Sequence, residues 1–140
     1  SWTSESLNEI AEFAPDLTIA IEPTSSDSNL IDSCDDVIEL MDQVDKPNIG
    51  AMFDTFHTLY RNEVPTDYIY RLGKRLKHIH LADLDRGPPG SGVVDYVSII
   101  QALRDVEYGG YLAMEIGFNR RNVEPDDMAR RAHDYLRSII

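Results

Sequence analysis

Four residues invite a chemical reading: Glu22, Asp54, His80 and Glu115. Each stands at or near the end of a short stretch with strand-like alternation: Thr18 to Glu22, Ile49 to Asp54, Leu76 to Leu81 and Tyr111 to Ile116. Side chains two apart in a strand share a face. Glu22 therefore lies with Thr18 and Ala20, Asp54 with Gly50 and Met52, and His80 with His78. In successive βα units the C-terminal strand ends meet at one mouth. Three carboxylates and an imidazole gathered there repel one another unless something compensates. A divalent cation removes the repulsion, and oxygen donors with one nitrogen suit Mn²⁺, Mg²⁺, Co²⁺ or Zn²⁺ without choosing among them.

Two more polar residues stand within reach. His57 lies three residues past Asp54, where the chain is leaving its strand. Arg86 opens the Gly- and Pro-rich loop Arg86-Gly87-Pro88-Pro89-Gly90-Ser91-Gly92 after the histidine strand. His78 sits one layer deeper than His80 and is expected to be a hydrogen-bonded core histidine. Singly, each residue has an ordinary explanation: a Glu before Pro23 is a solvated strand end, and Asp54 can cap a following helix. Four such groups at the same position of four successive units are better explained by a metal site.

The elements that must position these groups follow from the apolar pattern. Ser4 to Ala14 carries Leu7, Ile10, Ala11 and Ala14 at helical spacing, with Thr3 or Ser4 as cap. A second helix covers Ser33 to Val44, with Val37, Leu40, Met41 and Val44 inward and a capping box from Ser33 and Asp36. Pro65 opens a helix to Leu72 that Gly73 ends. Asp95 caps a helix over Tyr96 to Val106, with Val97, Ile100 and Leu103 inward. Pro125 opens the last helix, with Met128, Ala132, Tyr135, Leu136 and Ile139 on one stripe and His133 at the surface. The order is one helix, then four βα units. It predicts an α/β fold with a parallel sheet and right-handed crossovers, without an internal boundary in residues 1–140.

Composition narrows the partners. The net charge of −12, from 25 acidic and 13 basic residues, opposes phosphate backbones, so no nucleic-acid partner is expected. No apolar run approaches the roughly 18 residues of a membrane span, so no membrane partner is expected, and no signal peptide is recognisable. The single Cys34 excludes an internal disulfide and points to a reducing, cytoplasmic setting. With no histidine in its local sequence, Cys34 reads as a plain buried or half-exposed thiol.

The motifs Ile21-Glu22-Pro23, Asp54-Thr55-Phe56-His57, His78-Ile79-His80-Leu81-Ala82-Asp83 and Arg86 through Tyr96 resemble the xylose isomerase-like TIM-barrel superfamily. Within it they are most similar to the ketose 3-epimerases of the tagatose, psicose and fructoselysine type. The resemblance runs from about Thr18 to Ile116 and includes the spacing between motifs. It implies one divalent metal held by Glu22, Asp54, His80 and Glu115, with Glu22 and Glu115 also serving as the catalytic acid/base pair. It implies that His57 and Arg86 bind substrate oxygens near the reacting carbons of a sugar or polyol. The implied reaction removes a proton next to a ketone and passes through an enediolate.

There are departures from that pattern. The loop after Glu22, Thr24-Ser25-Ser26-Asp27-Ser28-Asn29, lacks the arginine and glutamate that hold distal hydroxyls in the sugar epimerases, with Asp27 as the only stand-in. Asn119, Arg120 and Arg121 follow Glu115 and could meet an anionic substrate group, although loop arginines of that kind are more often solvated. A complete (βα)8 barrel takes about 250 residues, so these four units are expected to be the C-terminal half-barrel of a longer protein. Such a half exposes two sheet edges, which predicts a homo-oligomer or association with an N-terminal half. Three other readings compete. Dehydratase or isomerase activity on a polyol or keto acid is the nearest, separable by a substrate panel. An inactive half-barrel fragment that only self-associates is another. The third is an apurinic endonuclease-like zinc phosphodiesterase, opposed by the net charge and by the absence of an Asp-x-His pair around Val93-Val94-Asp95-Tyr96.

Overall fold

The computed structural model describes residues 1–25, 27–117 and 124–140. Ten main elements follow one another: α1 (Trp2–Phe13), β1 (Ile19–Ile21), α2 (Cys34–Val44), β2 (Ile49–Asp54), α3 (Thr55–Tyr60), α4 (Pro65–Leu72), β3 (Leu76–Leu81), α5 (Tyr96–Asp105), β4 (Leu112–Met114) and α6 (Pro125–Ile139). The four strands form one parallel sheet in the order β1-β2-β3-β4, with the expected helix after each strand.

Register steps the site residues along the sheet. Asp54 pairs with His80, and His80 with Ala113, so Glu115 stands two residues beyond their level, while Ile21 pairs with Ala51 and leaves Glu22 two residues short of it. The ladder shifts between Ala51 and Met52, where the chain passes Lys77. Gly50 is required there, because a Cβ at this position would lie 2.3 Å from Cγ of Lys77. The outer strands are shorter than their alternation suggested: three residues each, against five for Thr18 to Glu22 and six for Tyr111 to Ile116. Among the described residues each has a ladder partner on one side only, so its ends lack the hydrogen bonds that would extend it.

The helix-facing side of the sheet is the core. Ala51, Phe53, Ile79 and Leu81 are buried against Val37 and Met41 of α2, Ile69 and Leu72 of α4, and Tyr96, Ile99 and Leu103 of α5. Phe53 and Tyr68 tilt against each other with ring centroids 5.4 Å apart. Fully burying a side chain of this kind stabilises the fold by about 1.5–3 kcal/mol, which fixes the sheet as a platform. A smaller cluster of Ala11, Leu40, Val44 and Ile49 seats α1 against α2 and the foot of β2.

Helix signals were largely legible. Ser33 and Asp36 form the capping box of α2, Gly73 stops α4 at φ 50°, and Asp95 caps α5. Two expectations need correction. The cap of α1 is Ser1, not Thr3 or Ser4, and Ser4 supplies the reciprocal bond. Val97 points to solvent: α5 buries Ile100 and Leu103 as expected, with Tyr96, Ile99 and Ala102 completing the stripe. The short α3 directly after β2 is the following helix that Asp54 could cap, although no span was assigned to it from the sequence.

Candidate active site

The strand ends converge. One donor atom from each of Glu22, Asp54, His80 and Glu115 lies within 4.8 Å of the others. Asp54, on a strand with neighbours on both sides, is buried and does two things at once. Its Oδ1 accepts the Phe56 N–H at 2.7 Å, capping α3, while Oδ2 turns to the mouth and accepts from Arg86 Nη1 at 2.6 Å. The cap and the site group that its sequence position suggested as alternatives are the same carboxylate. His80 Nδ1 stands 2.8 Å from Glu115 Oε2 and 3.7 Å from Glu22 Oε1.

Arg86 reaches the centre from its loop. Its Nη1 also donates to Glu115 Oε2 at 2.8 Å, and Nη2 lies 3.1 Å from His57 Nε2. A guanidinium only donates, so His57 Nε2 is the acceptor and the ring proton belongs on Nδ1. The Ser25 hydroxyl lies 3.5 Å from that Nδ1 and donates to the His57 carbonyl at 2.9 Å. The Phe56 ring lies 4.3 Å beneath the Arg86 guanidinium, a cation–π contact. His57 is buried because α3 turns its ring inward. A cleft of about 600 Å³ opens beside Arg86, lined by Phe56, Leu84, Pro88, Gly117 and Met128.

Electrostatics separates the acids. Burial, then the neighbouring Asp54, pushes the Glu22 carboxyl up. Burial also raises Asp54, outweighing the charge of Arg86. For Glu115 burial acts upward too, but its bond to Asp54 and the charges of Arg86 and His80 outweigh it and hold the group low. Three oxygen donors and one nitrogen donor at this spacing fit a divalent cation of the hard to borderline kind. Such an ion would neutralise the acids that Arg86 and His80 balance only in part.

His78 departs from expectation. It is half-buried and, among the described residues, has no hydrogen-bond partner; its ring packs edge-on against His80 with centroids 5.0 Å apart. It faces the inner side of the sheet rather than the core, and burial followed by the His80 charge lowers its pKa. Asp27, the expected stand-in for distal-hydroxyl contacts, is exposed. Ser26, Asn119, Arg120 and Arg121 lie outside the described residues. Sequence reasoning missed Ser25 and Phe56: neither residue type signals a role until α3 brings the ring under Arg86 and the hydroxyl onto His57.

Residues 2–139 match the family model described as a xylose isomerase-like TIM barrel. The chain belongs to the xylose isomerase-like TIM-barrel family. Among curated members, D-psicose 3-epimerase of Enterocloster bolteae is 35% identical over 86 residues, covering 61% of this chain and 29% of its own length. Fructoselysine 3-epimerase of Escherichia coli O157:H7 is 28% identical over 145 residues, covering 98% of this chain and 52% of its own. A D-psicose 3-epimerase crystallised in the presence of D-fructose superposes with a TM-score of 0.90 at 26% identity, over 97% of this chain and 54% of the other. The chain thus spans about half the length, or less, of the family members it matches. Four parallel strands with their helices are the corresponding half of the eight-stranded xylose isomerase-like barrel.

Proposed function

We propose that this chain carries the acid/base and metal-binding groups of a ketose 3-epimerase-like enzyme, with its four βα units forming the C-terminal half of the barrel. The observation that carries the reading is the convergence of Glu22, Asp54, His80 and Glu115 within 4.8 Å at the strand ends. Its similarity to psicose and fructoselysine 3-epimerases supports the reaction class.

Glu22, Asp54, His80 and Glu115 would hold one divalent cation. When bound, it supplies positive charge that polarises the substrate's ketone and hydroxyl oxygens. The remaining chemistry belongs to the chain. Glu22 and Glu115 come from the two outer strands and so approach a bound ketose from different sides. Both are carboxylates, which can take a proton or, once protonated, give one. One carboxylate removes the proton on the carbon next to the ketone, leaving an enediolate. The other returns a proton to the opposite face, inverting that carbon. Arg86 and His57, 3.1 Å apart, bind the substrate oxygens beside the reacting carbon, and the Phe56 ring keeps water from that side of the guanidinium.

Solvent exchange tests this. In D₂O the metal-loaded protein should place deuterium at the carbon next to the ketone of a ketose substrate. Glu22→Gln and Glu115→Gln should each reduce that exchange by about 10²–10⁴-fold, the range for losing a positioned acid or base. Unaltered exchange in either variant refutes the assignment.

A further inference from the structure

Asp83 lies in the histidine-strand motif, yet no step above uses it. It is fully buried, with no part of its side chain in the mouth. Its carboxylate is spent on the backbone of one loop. Oδ1 accepts the N–H groups of Leu84 at 2.9 Å, Val93 at 2.8 Å and Val94 at 3.4 Å, and Oδ2 accepts that of Gly92 at 3.0 Å. Both ends of the segment 84–94 are therefore tied to one anion. The approach is so close that a Cβ on Gly92 would lie 2.2 Å from Oδ1, so only glycine fits there. A second pin uses the Asp83 backbone, whose N–H donates to the Gly87 carbonyl at 2.8 Å, while the Gly87 N–H donates to Leu84 at 3.0 Å.

Between these pins the chain takes a costly path. Asp85 and Arg86 are both left-handed, at φ 56° and 57°, a region L-residues enter only at a cost. Such a pair persists only where the surroundings over-determine it. Here it turns the Arg86 side chain inward to Asp54, Glu115 and His57, and the Arg86 carbonyl is caught by the Gly117 N–H at 2.8 Å.

We infer that Asp83 is a positioning residue: its buried carboxylate closes the 84–94 loop on itself and thereby aims Arg86 at the site. The chemistry requires an anion. Each oxygen meets only N–H donors, and the amide of an asparagine would set its own NH₂ against the Gly92 or the Leu84 and Val93 N–H groups. An unmatched donor pair in a buried site opens the loop at that point.

This inference rests on the reading of Arg86 as a substrate-binding group, and a double-mutant cycle tests both. Asp83→Asn in the metal-loaded protein should lower ketose turnover by about 100-fold, the effect of a small misplacement of a binding group, with metal affinity unchanged. In an Arg86→Ala background the same change should cost less than about twofold, because coupled residues are not additive. Additive losses, or an equal fall in metal affinity, overturn the inference. If no ketose is turned over even with the N-terminal half of the barrel supplied, the epimerase reading fails and hydrogen exchange decides the loop question separately. The Gly92 and Val93 amides should exchange at least about tenfold faster in Asp83→Asn while β2 and β3 amides stay protected, and the Arg86 guanidinium resonances should lose their fixed environment. Unchanged amides at 92 and 93, or uniform acceleration across the sheet, leave Asp83 without this role.

Discussion

Arg86 Nη1 stands 2.6 Å from Asp54 Oδ2, and the same nitrogen lies 2.8 Å from Glu115 Oε2. The guanidinium is therefore held between two acids that the proposed cation would share. Asp54 has no exposed side-chain surface, so its charge has little water to fall back on.

Arg86→Ala should lower the melting temperature of the protein in EDTA, by an amount equivalent to about 1–3 kcal/mol for a buried acceptor left unmatched. A divalent ion should restore most of the loss. Affinity for that ion should stay level or rise, since a competing positive charge has gone. Calorimetric titration giving a tenfold weaker site in Arg86→Ala would mean that the guanidinium organises the donors rather than competing with a cation.

His80 supplies the only nitrogen in the cluster of four. His80→Ala should abolish divalent-ion binding by calorimetry. His133→Ala, on the solvent face of α6, should leave it intact. Equal affinity in parent and His80→Ala would remove His80 from the donor set.

The alternation Ile49 to Asp54 and Leu76 to Leu81 carries the strand positions, because β2 and β3 are flanked on both sides and burial enforces the period of two. That is why Asp54 and His80 are legible as neighbours from residue order alone. The lengths of β1 and β4 are not, since edge pairing depends on partners no local pattern encodes. Val97 shows the limit on helices: its position and that of Tyr96 differ by one residue, and only packing against α4 and α6 decides which turns in. Ser25, Phe56 and Asp83 escape for another reason. Their roles are made by loop closure around Arg86, and left-handed residues at Asp85 and Arg86 are not announced by Asp or Arg side chains.

Cys34 opens α2 and is buried, and burial raises its thiol from 9.0 to about 11. A helix N-terminus ordinarily favours the thiolate, so desolvation wins here. The native protein should resist a thiol reagent at pH 8 and react at once when unfolded. The sign of the linkage is fixed: the unfolded chain loses this proton first, so the stability contribution present below pH 9 declines as pH rises toward 11. Cys34→Ser should flatten that decline in denaturant melts over this window. Fast labelling of the folded protein at pH 8 would show that the site opens to water.

The sheet ends in two three-residue strands, each with a ladder partner on one side only among the described residues. On the inner face Met52 is buried, but Ala20, His78 and Ala113 are only half-covered. Burying about 300 Å² of apolar surface corresponds to roughly 7 kcal/mol. That falls within the 4–15 kcal/mol or so that rigid-body association costs, and edge hydrogen bonds between strands add to it. The isolated 140-residue chain should therefore self-associate at micromolar concentration through β1 and β4, with sheet faces turned toward each other. Sedimentation should show a mean mass rising with concentration, and amides of residues 19–21 and 112–114 should become protected as it rises. A compact monomer at every concentration, with those amides exchanging freely, would mean that the edges are stable in water as they stand.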